Sequence, residues 1–331
     1  MSAPQISIVV LSCNRRDDLA KNLPRLAAWT AKTGNELIIS DNASTDGSRE
    51  LLAEIQRDFP HVQVTLNDTN LGVGAGRNVG FRVATGEILL CLDDDSDPQP
   101  EFLEALPGLF AAYPEVGLIS PRILHPSSGE NQNDHGPDPC LVANFHGSCH
   151  AFRRAVVNAI GLQDEGCRFG GEEIDFSIRA HAAGFSTLVH PDYISYHNSF
   201  VRPVEEQMKR WTQWVYNYAR VLGKNFPDAM ARRLATHYTK QFAFKFVRAG
   251  QRDEAAKLTA EGARGLADGL KLFTGCPEST VQFYSHPDLR PEFGNVTVMQ
   301  KIVARILRKR HREPYPVERR PVPAPTEAPG G

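Results

Sequence analysis

Short apolar runs alternate along the first two hundred residues with stretches in which apolar positions recur every third or fourth residue. Ile6 to Leu11 is β-branched and bounded by polar residues, which predicts a buried strand. Leu19, Leu23, Leu26 and Trp29 follow at helical spacing, with Pro24 marking a kink or a restart. Glu36 to Ser40 reads as a second strand, Leu51, Leu52, Ile55 and Phe59 as the next helix face, and Val62 to Leu66 as a third strand. Further on, Ile88 to Leu92 is strand-like, Glu101 to Tyr113 helical, Val116 to Ser120 a strand, Val142 to Phe145 strand-like and Arg153 to Ile160 a short helix. Thr187 to Val189 and Tyr193 to Tyr196 are short strand candidates that end at His197. This alternation, with connections long enough for crossovers, predicts an α/β fold: an open, mostly parallel sheet with helices on both faces. Ligands of such sheets bind beyond the carboxyl ends of the strands.

From Val204 onward the period is helical throughout. Met208, Trp211, Val215, Tyr218 and Leu222 form an apolar seam suited to packing, and two more helices are expected near 229–248 and 253–272. The expected organisation is a catalytic domain over 1–203, a C-terminal helical extension over 204–300, and a basic segment with a disordered Pro-rich tail over 301–331. A chain of 331 residues suffices for this, and 41% hydrophobic with 23% charged residues is ordinary globular composition. The net charge of -2 excludes a general attraction to nucleic acid or to an anionic membrane. Six cysteines without a C-x-x-C pair read as reduced thiols, and no secretory signal or run of membrane-spanning length is present, so cytoplasm is the default. Lys301 to Arg312 holds six Lys or Arg residues beside Ile302, Val303, Ile306 and Leu307. Its two readings are peripheral contact with the inner face of a membrane and a solvated basic tail.

The chemistry is concentrated at strand ends. The Ile88–Leu92 run delivers Asp93, Asp94 and Asp95 to its carboxyl edge before Pro98 stops it. Alternating side-chain direction sends Asp93 and Asp95 one way and Asp94 the other, so two carboxylates can converge on a hard cation, Mg2+ or Mn2+; a solvated acidic turn is the alternative. Asp41 lies at the end of the second strand. The glycines at 72, 74, 76 and 80 permit close backbone approach, and Arg77 among them could pair with phosphate. They do not give the dinucleotide fingerprint G-x-G-x-x-G, and the loop after the first strand, Ser12 to Arg16, has no glycine. Gly170 to Arg179 opens a helix whose Asp175 and Arg179 are spaced to pair on its surface, leaving Glu172 and Glu173 in its first turn, where acidic residues also suit the helix dipole.

Taken in order, Asn14-Arg15, Asp41-Asn42-x-Ser44-x-Asp46-Gly47, Asn70-x-Gly72-x-Gly74-x-Gly76-Arg77-Asn78-x-Gly80, Leu92-Asp93-Asp94-Asp95 and Gly171-Glu172-Glu173-x-Asp175-Phe176-x-x-Arg179 resemble the inverting family-2 glycosyltransferases of the GT-A fold. The resemblance covers about residues 5–200, and a bacterial rhamnosyl- or galactofuranosyltransferase-like subgroup is one candidate within it. It implies a Rossmann-like GT-A domain that moves a sugar from a nucleoside-diphosphate donor, UDP- or dTDP-linked, to a hydroxyl of a glycan, lipid-linked or small-molecule acceptor. It implies that Asp41 and Arg77 hold the nucleotide, that Asp93 and Asp95 form the D-x-D pair with Asp95 the direct metal ligand, and that Asp94 belongs to the donor-binding set. It implies that His197 completes the metal site and that Glu173 is the general base. Where similar enzymes read Glu-Asp-x-Asp, this chain has Glu172-Glu173-Ile174-Asp175, which keeps the carboxylate and adds a methylene. A nucleotidyltransferase and a non-catalytic sugar-nucleotide or glycan-binding protein on the same fold are the competing classes.

Overall fold

The computed structural model describes residues 5–199, 204–285 and 317–323. Its first half runs β1 (Ile6–Ser12), α1 (Arg16–Thr33), β2 (Glu36–Asp41), α2 (Ser48–Asp58), β3 (Gln63–Leu66), α3 (Val73–Val83) and β4 (Ile88–Asp93). Then come β5 (Ser96–Pro98), α4 (Pro100–Ala112), β6 (Val116–Leu124), β7 (Cys140–Leu141), β8 (Cys149–Arg153), α5 (Arg154–Ile160), α6 (Glu172–Ala182) and β9 (Ser186–His197). Four helices follow: α7 (Val204–Asn225), α8 (Asp228–Arg248), α9 (Arg252–Lys271) and α10 (Glu278–Ser285).

The strands form one sheet in the order β3-β2-β1-β4-β8-β6-β9-β5, with β7 paired to β9. β1 pairs in parallel with β2 and β4, and β2 with β3, as right-handed crossovers through α1, α2 and α3 require. Register levels the carboxyl ends: Ser12 lies opposite Asp41 and Leu11 opposite Asp93. Alternation along each strand fills two layers. Ile8, Val10, Leu90 and Leu92 pack with Leu19 and Leu23 of α1 and Phe102 of α4, whereas Val9, Leu89 and Cys91 pack with Phe81, Phe152 and Phe176 on the other face. The glycines of α3 serve this packing, because a Cβ on Gly80 would collide with Val9 and one on Gly76 with Leu11.

Several expectations need correction. α1 runs unbroken through Pro24, whose ring faces solvent. Residues 142–145 are not a strand; β8 lies at 149–153 and inserts antiparallel between β4 and β6. The two short strands before His197 are one twelve-residue β9 with an irregularity against β6. The basic segment 301–312 lies outside the described residues. Residues 317–323, expected within a disordered tail, pack on the sheet and its flanking helix α4 instead. Val317 and Val322 cover the α4 side of the core, Arg320 pairs with Glu115 at 2.7 Å, and the Val317 N–H donates to Pro139 O. Apolar residues spaced within a Pro-rich stretch supply the contact that composition alone did not predict. No helix among the described residues is long and apolar enough to cross a membrane.

Candidate active site

Two acidic strand ends, the turn between β4 and β5, the end of β9 and one helix N-terminus meet at the rim of the sheet. Asp93 ends β4, and the turn to β5 brings Asp95 back to the same side. β5 pairs with the end of β9, Ser96 opposite His197, and so sets the imidazole beside Asp95, with Nε2 3.2 Å from Oδ1. Asp93, Asp95 and His197 each present a ligand atom, all within 4.8 Å of one another. Burial alone would depress the His197 imidazolium, but the Asp95 carboxylate outweighs it and raises the group's pKa. Burial likewise opposes ionisation of Asp95, and His197 and Arg15 reverse it, so this carboxylate stays charged below the usual range. Arg15 Nη2 lies 3.3 Å from Asp95 Oδ2. Two carboxylates and an imidazole form a donor set that fits a divalent cation of the Mg2+ or Mn2+ kind.

Asp94, expected among the donor-binding residues, turns the opposite way. Its Oδ2 accepts the Cys13 N–H at 2.9 Å, and burial followed by repulsion from Asp95 raises its pKa well above the usual range. It anchors the first loop. Asp41 is fully buried at the end of β2; one oxygen accepts the Ser44 N–H at 3.1 Å and Arg49 Nε at 2.8 Å. The other, Oδ1, has no hydrogen-bond partner among the described residues. A buried carboxylate oxygen left open at the sheet's rim is suited to an incoming N–H donor.

Arg77, expected near the base or phosphate, is engaged by groups of the protein itself. It is 2% exposed, donates to Asp93 Oδ1 at 2.7 Å and to Gly147 O at 2.9 Å, and lies 3.6 Å from Glu172. Buried and held by carboxylates on two sides, it joins the acidic strand end to the start of α6. Glu173 stands next to it. Burial raises the Glu173 pKa against the pull of Arg77, and burial together with Glu173 raises that of Glu172 well above the usual range. Gly147 makes room for this arrangement, since a Cβ there would collide with Glu173 Oε1. Asp175 is fully buried, takes Arg179 Nε at 2.6 Å and Lys224 Nζ at 2.9 Å, and fixes α6 against α7.

Sequence reasoning missed two residues at the site. His146 packs edge-on against His197 with ring centres 5.5 Å apart, and burial with the neighbouring His197 and Arg77 pushes its pKa down to about 3, so it is neutral. Gln132, in the connection between β6 and β7, bonds His197. Neither carries a local signal, because the His197 ring that each of them meets lies far away in the sequence.

The family described as Glycosyl transferase family 2 matches residues 7–161, and the one described as Glycosyl transferase family group 2 matches residues 138–251. Glycosyltransferase AglE of Haloferax volcanii is 25% identical, over 62% of this chain and 70% of its own length. The chain spans only 35%, 41% and 30% of three further curated glycosyltransferases that it matches. Among solved structures, GalNAc-T7 with UDP, GalNAc and Mn2+ superposes with a TM-score of 0.56 at 16% identity, over 79% of this chain and 55% of that one. Residues 1–349 of S. aureus TarS superpose with a TM-score of 0.52 at 17% identity, over 79% and 92%. At such identities these two likenesses concern the fold, which is that of GT-A proteins.

Proposed function

We propose, from the match to the family described as Glycosyl transferase family 2 over residues 7–161 and from the geometry of the rim, that the chain moves a sugar from a nucleoside-diphosphate donor to an acceptor hydroxyl, with inversion and with a divalent cation. The observation that carries this reading is the convergence of Asp93, Asp95 and His197 beside Glu173, with Arg77 bonded to Asp93 and close to Glu172. Asp41 Oδ1 accepts an N–H of the donor's base, which satisfies the open oxygen. Asp93, Asp95 and His197 would hold the cation, whose charge offsets that developing on the departing diphosphate, a contribution of several kcal/mol. Glu173 removes the acceptor's proton as the new bond to the anomeric carbon forms and the bond to the diphosphate breaks. A pKa raised by burial makes it a stronger base, and a positioned base contributes about 10²- to 10⁴-fold. UDP- and dTDP-linked sugars are the first donors to try; the GalNAc-T7 structure contains UDP and Mn2+.

The test is release of nucleoside diphosphate from a panel of radiolabelled sugar nucleotides, with and without Mg2+ or Mn2+ and with candidate acceptors. Metal-dependent release coupled to sugar transfer is expected. Undiminished transfer in excess chelator refutes the metal site, and binding without turnover across the panel favours a non-catalytic protein. Release of inorganic pyrophosphate from a nucleoside triphosphate and a sugar phosphate identifies a nucleotidyltransferase.

A further inference from the structure

The backbone around Gln132 is fixed more tightly than a surface loop requires. The Gln132 N–H donates to Ile123 O at 2.9 Å, and the next residue, Asn133, takes the Ile123 N–H at 2.7 Å and donates to Pro121 O at 2.8 Å. The loop between β6 and β7 is thereby laid against β6, and the Gln132 side chain is aimed across at the end of β9. There its Nε2 has two acceptors, His197 O at 3.0 Å and Ser199 Oγ at 3.2 Å. A backbone carbonyl can only accept, so the amide nitrogen belongs on that side and the amide oxygen faces the His197 ring. That oxygen is 2.6 Å from Nδ1. An amide oxygen can only accept, so Nδ1 carries a hydrogen. The other ring nitrogen, Nε2, is the one turned to Asp95.

We propose that Gln132 is a positioning residue for the metal site: it fixes the ring orientation of His197 and holds the proton on Nδ1, so that Nε2 offers its lone pair beside Asp93 and Asp95. A metal-ligating imidazole is commonly held through its second nitrogen by a carboxylate, a carbonyl or a water, and losing such a partner typically weakens metal binding about 10- to 100-fold. The assignment rests on the metal reading above and adds a residue from a different loop to it.

The measurement is Mn2+ affinity of the full chain by electron paramagnetic resonance, without donor or turnover. Gln132→Leu should weaken Mn2+ binding about 10- to 100-fold, and Gln132→Glu, which keeps the acceptor, should restore most of it. In the double variant Gln132→Leu/His197→Ala the affinity should match that of His197→Ala, because Gln132 acts only through the ring. A loop merely loosened by mutation would not be rescued by Gln132→Glu and would add its loss to that of His197→Ala. Wild-type affinity in Gln132→Leu, or additive losses in the double variant, overturns the assignment while leaving the metal site standing. No Mn2+ binding by the wild-type chain removes the metal reading and this assignment together.

Discussion

At the scale of single residues, the decisive pair is Glu173 and Arg77. Glu173→Gln keeps the shape of the side chain and removes the proton acceptor, so transfer should fall about 10²-fold or more while donor affinity, measured by calorimetry, holds. Near wild-type transfer by a folded Glu173→Gln protein would move the base to Glu172 or Asp175. In the proposed role Glu173 must be ionised to act, and burial raises its pKa. The acid limb of kcat/KM should therefore lie above the usual glutamate range, with activity falling as pH drops through it. Gly147→Ala should lower kcat without weakening Mn2+ binding, since the added methyl meets Glu173 and not Asp95. How much of this was legible differs by residue. Asp93 and Asp95 could be placed on one side from alternation alone. The contacts that hold Asp94 and Arg77 could not, because what captures them, the Cys13 N–H and Gly147 O, lies 81 and 70 residues away.

At the scale of elements, the start of α6 is held by a cluster that no local pattern announced. Lys224 of α7 bonds both Asp164 at 2.8 Å and Asp175 at 2.9 Å, and Arg220 joins on Asp164 at 3.1 Å. Burial would raise the Asp164 pKa, but Lys224 and Arg220 outweigh it and hold the pKa at about 2. A carboxyl depressed in the folded state contributes stability that is complete above its ordinary value of 3.8 and is lost as pH falls through about 2. Denaturant unfolding across that window should show the loss, and in Asp164→Asn it should be smaller. Removing one partner of a buried pair costs about 3–5 kcal/mol. Lys224 retains some exposure, so Lys224→Met should fall at the lower end of that range. The spacing of Asp175 and Arg179 did reveal their own contact at 2.6 Å. The pairing of α7 with Asp164 and Asp175 is long-range, and hydrophobic periodicity carries no record of it. Strand β8 was missed for a related reason: Cys149-His150-Ala151-Phe152-Arg153 is buried on both faces despite its histidine, so it shows no alternation to read.

At the scale of the whole molecule, the parallel half of the sheet was readable because each βαβ unit announces its own neighbours, whereas the antiparallel insertion and the docking of residues 317–323 depend on chain returning from far away. That docking ends in specific contacts. The Tyr113 hydroxyl donates to Glu318 O at 3.2 Å and accepts the Arg320 N–H at 3.0 Å, while Arg319 reaches Asp192 and the carbonyl of Pro137. Ending the chain at residue 316 should lower stability by about 2 kcal/mol, on the order of two half-buried valines, as read by thermal unfolding. Seven residues with so few anchors would bind weakly as a free peptide. They hold because the chain joins them to α10, and a tether of that kind supplies an effective concentration on the order of millimolar. A single proteolytic cut between Ser285 and Val317 would abolish that concentration without touching one contact. At micromolar protein the severed segment should dissociate by dilution, and native mass spectrometry of the nicked chain should find it gone. Pro137 and Pro139 would then be released at one end of the loop that carries Gln132, so backbone continuity at a distance helps set how firmly that loop is held.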